Sequence, residues 1–189
     1  MLKIVFVTGN LNKAREVAEI LRNFRIDVEH VNLTLTEIQS DSLEEIAKAS
    51  ALEATGLVGK PVIVEDSGLF IKSLDGFPGP FSSYVQKTIG NRGILKLMGG
   101  IDDRDASFRS VVAYCDEERK PLSFTGEVRG KISYDEKGKV WAFDPIFIPN
   151  RKGGKTYAEM GPVEKDMISH RRRALEKFAK WYLKFQSHP

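Results

Sequence analysis

Apolar and polar positions alternate along the chain in two rhythms. Ile4-Val5-Phe6-Val7 is an unbroken apolar run, the pattern of a strand buried on both faces. Thr8-Gly9-Asn10 ends it, and Ala14, Val17, Ala18 and Leu21 then recur at helical spacing, which predicts a helix after the turn. Ser42 and Glu45 have the spacing of a capping box, with Leu43, Ile46, Ala47 and Ala54 on one helical face behind it. Val62-Ile63-Val64 predicts a second buried strand, ending at Glu65-Asp66-Ser67-Gly68 before Leu69-Phe70-Ile71 resumes the apolar character. Gly76-Phe77-Pro78-Gly79-Pro80 predicts an irregular loop, because its prolines and glycines oppose regular structure. A helix is expected from Tyr84 to Met98, broken near Gly90.

The middle of the chain reads as β-structure. Phe108–Tyr114, Leu122–Phe124, Val128–Tyr134 and Ile146–Ile148 are strand candidates, with a solvated turn at Asp116-Glu117-Glu118-Arg119-Lys120. A final helix is expected from Lys165 to Phe185, with Ile168, Leu175, Phe178, Ala179 and Tyr182 on its apolar face. Helices and strands alternate early and strands cluster later, which predicts an α/β protein with a mixed sheet. No repeat, low-complexity tract or linker divides the chain, so residues 1–189 are expected to form a single domain.

Composition narrows the class. With 41% apolar and 29% charged residues, the chain is expected to be globular, and 189 residues suffice for a real core. A net charge of +3 is too small for a dedicated nucleic-acid binder, so no stable nucleic-acid partner is expected. The lone Cys115 excludes an intrachain disulfide and makes a reducing cytosol the simplest setting. The N-terminus lacks a signal-peptide pattern, and no stretch approaches the ~20 apolar residues of a membrane helix.

Five segments carry candidate chemistry. Thr8-Gly9-Asn10-Leu11-Asn12-Lys13 links a strand to a helix, where free N–H groups and the positive dipole end favour phosphate. An ordinary helix cap is the competing reading. In Glu65-Asp66-Ser67-Gly68, two acids follow a buried strand, a costly placement unless they are solvated or ligated. Alternation points them to opposite faces, so Asp66, nearer the expected turn, is the candidate site acid. Glu37, in a loop before the second helix, supplies a possible second metal carboxylate, since magnesium often takes one or two. Trp141 and Phe143 would share one side of an extended segment that Pro145 enforces at Asp144, where they either stack on a base or pack in the core. Ser169-His170-Arg171-Arg172-Arg173, one turn after Lys165, offers donors to a purine carbonyl, or else a basic patch for RNA or DNA.

Together these segments resemble the inosine triphosphate pyrophosphatase family. The matching pieces are Thr8-Gly9-Asn10 with Lys13, Glu37-Ile38-Gln39, Glu65-Asp66-Ser67-Gly68, Gly76-Phe77-Pro78-Gly79, Phe143-Asp144-Pro145-Ile146-Phe147 and Ser169-His170-Arg171, in the family's order. Gly93-Ile94-Leu95-Lys96-Leu97 points to the archaeal members. The resemblance implies an elongated mixed sheet flanked by helices, in two lobes around a central cleft, and a homodimer. It implies a cytoplasmic enzyme converting ITP, dITP and XTP to monophosphate and pyrophosphate with Mg2+, or Mn2+ in its place. Asp66 would be general base and metal ligand, and Glu37 the second ligand. Thr8, Gly9, Asn10, Lys13, Ser67 and Lys165 would hold substrate, with Phe143 and Asp144 in the base pocket and His170 and Arg171 at its edge.

Two departures stand out. The family's Gly-Phe-Gly-Tyr/Trp before Asp-Pro reads Val140-Trp141-Ala142-Phe143 here, and a lysine common on the second helix is replaced at about Ser50. The rival functions are non-catalytic nucleotide or RNA binding through the basic last helix, and hydrolysis of modified pyrimidine nucleotides.

Overall fold

In the computed structural model, which describes residues 2–118 and 120–187, the apolar run at the start lies within strand β1 (Leu2–Val7). The Thr8–Asn10 turn leads into α1 (Leu11–Arg22), which buries Ala14, Val17, Ile20 and Leu21, while Ala18 is only half-buried. β2 (Ile26–Val31) returns parallel to β1 in the register Leu2–Ile26 to Val7–Val31. Then follow α2 (Leu43–Val58), β3 (Val62–Ile71), β4 (Pro78–Gly79), α3 (Ser82–Thr88) and α4 (Gly90–Leu97). β5 (Asp105–Cys115), β6 (Leu122–Ile132), β7 (Phe147–Pro149), α5 (Pro162–Asp166) and α6 (His170–Gln186) complete the described chain.

The strands form one seven-stranded sheet in the order β2-β1-β3-β5-β6-β7, with β4 pairing β3. β1 pairs parallel with β2 and β3, while the β3–β4 and β6–β7 pairs are antiparallel. The expected mixed α/β sheet is therefore present.

The chain divides into two compact units, which it enters and leaves within strands and at helix ends, not through linkers. The first comprises Met1–Asp66, Ser110–Gly126 and Arg171–Pro189. Its core joins Ile4, Phe6, Val17, Leu21, Ile63, Val112 and Tyr114 to Leu175, Phe178 and Tyr182 of α6. The second comprises Ser67–Arg109 and Glu127–His170. Its core includes Leu69, Ile71, Val85, Ile94, Phe108, Val128, Phe143, Phe147 and Tyr157.

Several boundaries differ from expectation, each for a physical reason. β3 does not end at Glu65 but runs through Asp66-Ser67-Gly68 to Ile71. β4 lies so close to it that a Cβ at Gly68 would come within 2.2 Å of the Gly79 carbonyl oxygen. Gly68 thus serves a close backbone approach within the sheet, and Pro78-Gly79 of the expected loop is the short strand that makes it. Leu122–Phe124 and the Val128–Ile132 part of the second expected strand belong to one strand, β6, which runs through Gly126-Glu127 and ends before Ser133 and Tyr134. The last helix is two helices, because α5 starts with Pro162 in its first turn and the helical ladder lapses between Asp166 and His170. Of the turn expected at Asp116–Lys120, Arg119 lies outside the described residues, and Asp116 Oδ1 accepts the Glu118 N–H at 3.1 Å.

Candidate active site

The first unit gathers a buried charge cluster around Glu65. Strand alternation sends Glu65 inward, where it is 7% exposed, and leaves Asp66 half-buried on the other face. Glu65 Oε1 accepts the Ser110 hydroxyl at 2.6 Å and lies 3.2 Å from Arg171 Nε, while Oε2 lies 3.0 Å from Lys13 Nζ. Lys13 also donates to the Glu65 backbone carbonyl at 3.1 Å. Arg171, at the head of α6, is 2% exposed and pairs with Glu16 of α1 as well. Burial alone would raise the Glu65 pKa, but the charges of Arg171 and Lys13 and the Ser110 hydrogen bond outweigh it. The carboxyl is held far below the usual range and stays ionised. Burial opposes the Arg171 charge, yet Glu65 and Glu16 hold its pKa above the ordinary value.

The Thr8–Lys13 turn is a well-made cap. Asn10 Oδ1 accepts the N–H groups of Asn12 and Lys13 at 2.9 and 3.2 Å, and Thr8 Oγ1 accepts the Asn10 N–H at 3.1 Å. The backbone donors of Asn12 and Lys13, expected to face phosphate, are therefore engaged by the protein itself, as is Lys13 Nζ through Glu65. Gly9 is not needed by the fold: its φ is not in the left-handed region, and a Cβ there would meet only Asn32 Oδ1 at 3.5 Å. Glu37 is exposed on the segment between β2 and α2. Ser50 is half-buried in α2, and the nearby Lys48 pairs with Glu44 at 2.7 Å.

The second unit holds an aromatic and ionic group. Lys165 of α5 pairs with Asp144 at 2.6 Å, both side chains being under 10% exposed. Its Nζ lies 5.5 Å from the Trp141 ring centroid and 5.8 Å from that of Tyr157. His170 stacks on Phe108 with ring centroids 4.7 Å apart and planes 8° apart. Phe143 is buried in the core of this unit, and Asp144 opens a single-turn helix, Asp144–Ile146, in place of the expected extended segment. The two aromatics do not share a side: Phe143 is a core residue, and the half-buried Trp141 is the one suited to stack on a base. Ser67 is half-buried in β3.

The basic triplet is not a continuous patch. Arg171 is buried, Arg172 pairs with Glu176 at 2.7 Å, and only Arg173 is exposed. The exposed cations of α6 are Arg173, Lys177, Lys180 and Lys184, outside the buried part of the triplet. Sequence reasoning missed Glu16, Ser110, Phe108 and Tyr157. Two of these left a trace: Glu16 follows Lys13 by three positions on α1, and Ser110 is a small polar residue inside the apolar β5.

Among the described residues no three His, Cys, Asp or Glu side chains cluster to cage a metal. Both oxygens of Glu65 are committed to cations and to Ser110, so Glu65 is ill placed to take a metal. One or two carboxylates fit a hydrated magnesium that completes its shell with phosphate oxygens. No helix among the described residues is long and apolar enough to cross a membrane.

The Ham1 family model matches residues 4–181. The chain is 53% identical over 182 residues to the dITP/XTP pyrophosphatase of Methanopyrus kandleri, covering 96% of both chains. It is 45% identical over 181 residues to the dITP/XTP pyrophosphatase of Pyrococcus horikoshii, covering 95% of this chain and 96% of the relative. Among solved structures, the HAM1 protein from Coxiella burnetii superposes with a TM-score of 0.85 at 31% identity, covering 97% of this chain and 100% of that one. The Staphylococcus aureus Ham1 protein gives 0.82 at 26%, covering 96% and 98%. Since the likeness runs from β1 into α6 in sequence and extends to the fold, the chain belongs to the Ham1 family.

Proposed function

We propose that the protein hydrolyses the non-standard purine nucleoside triphosphates ITP, dITP and XTP to the nucleoside monophosphate and pyrophosphate, removing them from the nucleotide pool. The observation that carries the reading is the full-length likeness to proteins curated as dITP/XTP pyrophosphatases. The cluster that fixes Lys13 and Arg171 around Glu65, beside Asp66 on β3, supports it.

In this reading Asp66, with Glu37 as second ligand, would hold magnesium, or manganese in its place. Such an ion neutralises charge on the phosphates. Asp66 orients the attacking water and takes its proton. Attack falls on the α-phosphorus, and Lys13 receives the negative charge of the departing pyrophosphate. Thr8, Gly9, Asn10 and Ser67 line the path of the phosphates. Trp141 takes the purine face, Lys165 and Asp144 hold their place beneath it, and His170 and Arg171 read the base edge. A donor at that edge would meet an adenine amino group donor to donor, whereas the hypoxanthine or xanthine carbonyl accepts.

Residence in the cytoplasm and assembly as a homodimer belong to the same reading. Phe77, Phe81, Tyr84, Ile89 and Leu97 are all exposed, the kind of apolar surface a second copy would cover. Light scattering of the purified protein tests the dimer.

The decisive assay measures pyrophosphate released from ITP, dITP, XTP, ATP, GTP and dUTP, with magnesium and with EDTA. Release is expected from the first three only, and only with the metal. Asp66→Asn should lower kcat by at least ~10²-fold without unfolding the protein. Full turnover by that variant, or equal turnover of ATP and ITP, would sink the proposal.

A further inference from the structure

We infer that Asn91 is a positioning residue, whose side-chain amide holds the turn that presents Trp141 to the purine base. The inference deepens the proposed function and rests on it for the identity of the ligand. Asn91 stands in the first turn of α4, and its Nδ2 donates to the backbone carbonyl of Ala142 at 3.2 Å. The two residues are 51 positions apart in sequence, so this is a tertiary strut.

Ala142 needs such a strut. Its φ is 60°, in the left-handed region that a Cβ disfavours and that glycine occupies freely. The Asn91 bond grips the carbonyl of this strained residue. Phe143, next in the chain, is fixed in the core, and Val140, on the other side, is exposed. Trp141 therefore hangs between an anchored residue and an exposed one. With the turn held, its ring lies 5.5 Å from the Lys165 ammonium, itself paired to Asp144.

The amide is poorly served in return. Among the described residues Asn91 Oδ1 has no hydrogen-bond partner although it is buried. A buried acceptor left idle is a cost that an apolar side chain would not carry, so the amide is retained against that cost. The bond to Ala142 is what the asparagine adds. It makes the placement of the base-stacking ring depend on a residue that is not itself assigned to the substrate.

The experiment uses the full chain carrying Trp181→Phe, which leaves Trp141 as the single tryptophan of the two. Asn91→Asp keeps the side chain's shape but puts a charged acceptor where the donor was, and Asn91→Ala removes the donor without adding charge, so an effect of the lost bond must appear in both. Asn91→Ala decides alone should the aspartate fail to fold. Each is made with and without Ala142→Gly. Acrylamide quenching of Trp141 is recorded without nucleotide, and KM and kcat are measured for ITP. The donor-less variants should quench more readily and raise KM about fivefold, with kcat within about twofold. Ala142→Gly should recover much of both losses, because glycine holds the left-handed turn unaided. Unchanged quenching, a quenching change with no change in KM, or losses that glycine does not relieve would each overturn the inference. If the parent protein does not hydrolyse ITP, the proposed substrate falls, and quenching with glycine rescue alone decides whether Asn91 holds the turn.

Discussion

Replacing Glu65 by glutamine preserves its length and its bond from Ser110 but removes its charge. The cluster then holds Lys13 and Arg171 against Glu16 alone, and one buried positive charge goes uncompensated. Removing one partner of a buried ion pair costs about 3–5 kcal/mol. Here Arg171 keeps Glu16, and the Lys13 side chain is 17% exposed, so the low end, about 3 kcal/mol, is expected. For a chain of this size that lowers Tm by about 6–12 °C. The effect has a pH signature. The folded carboxyl titrates far below the unfolded one, which titrates near ~4.3. Its stabilisation is therefore complete above that value and declines as pH falls below it toward the folded pKa. Glutamine has no such dependence, so parent and variant should converge in acid. Urea unfolding followed by circular dichroism at pH 7 and at a series of lower pH values measures both. A gap at pH 7 under ~0.5 kcal/mol, or one that widens in acid, would refute the reasoning.

Further outcomes follow from the same geometry. Gly68→Ala forces a Cβ to 2.2 Å from the Gly79 carbonyl and should destabilise the protein by about 1–3 kcal/mol, read by thermal unfolding. Gly9→Ala meets nothing closer than 3.5 Å and should leave Tm within about 2 °C while impairing ITP hydrolysis, which a stability-matched kinetic comparison checks. Asp144→Asn strips the buried Lys165 of its 2.6 Å partner and should cost about 3 kcal/mol by denaturant titration, with a raised KM for ITP.

Local order was legible where pattern and packing agree. The Ile4–Val7 run and the helical spacing after Asn10 announced β1 and α1, and Ser42 does cap α2, its Oγ accepting the Glu45 N–H at 3.3 Å. The reciprocal half of the box is relayed: the Glu45 carboxylate accepts from Ser40 Oγ, which accepts the Ser42 N–H. What failed was the reading of polar residues as breaks. Asp66-Ser67-Gly68 and Thr125-Gly126-Glu127 stay in strands because β3 and β6 run through them inside the sheet, with a strand on either side, and no local window records a neighbouring strand. The same limit governs the site. Two acids after a buried strand signalled chemistry, and alternation separated them. That Glu65 belongs to Arg171, 106 positions along, is tertiary information. The aromatic pair misled because Asp144 was expected to be extended before Pro145, whereas a proline in a first helical turn is equally at home.

The make-up of the first unit also bears on how the protein is made. Its core draws Ala174, Leu175, Phe178, Ala179 and Tyr182 from α6, the last described element, onto β1, α1 and β3 from the beginning. During synthesis the opening strands emerge with their apolar faces uncovered and wait for nearly the whole chain before that helix arrives. The second unit, contained between residues 67 and 170, has all its core residues earlier. Vectorial folding therefore runs against the usual order, in which N-terminal structure settles first. The nascent protein is most exposed to aggregation and to chaperones just before α6 appears.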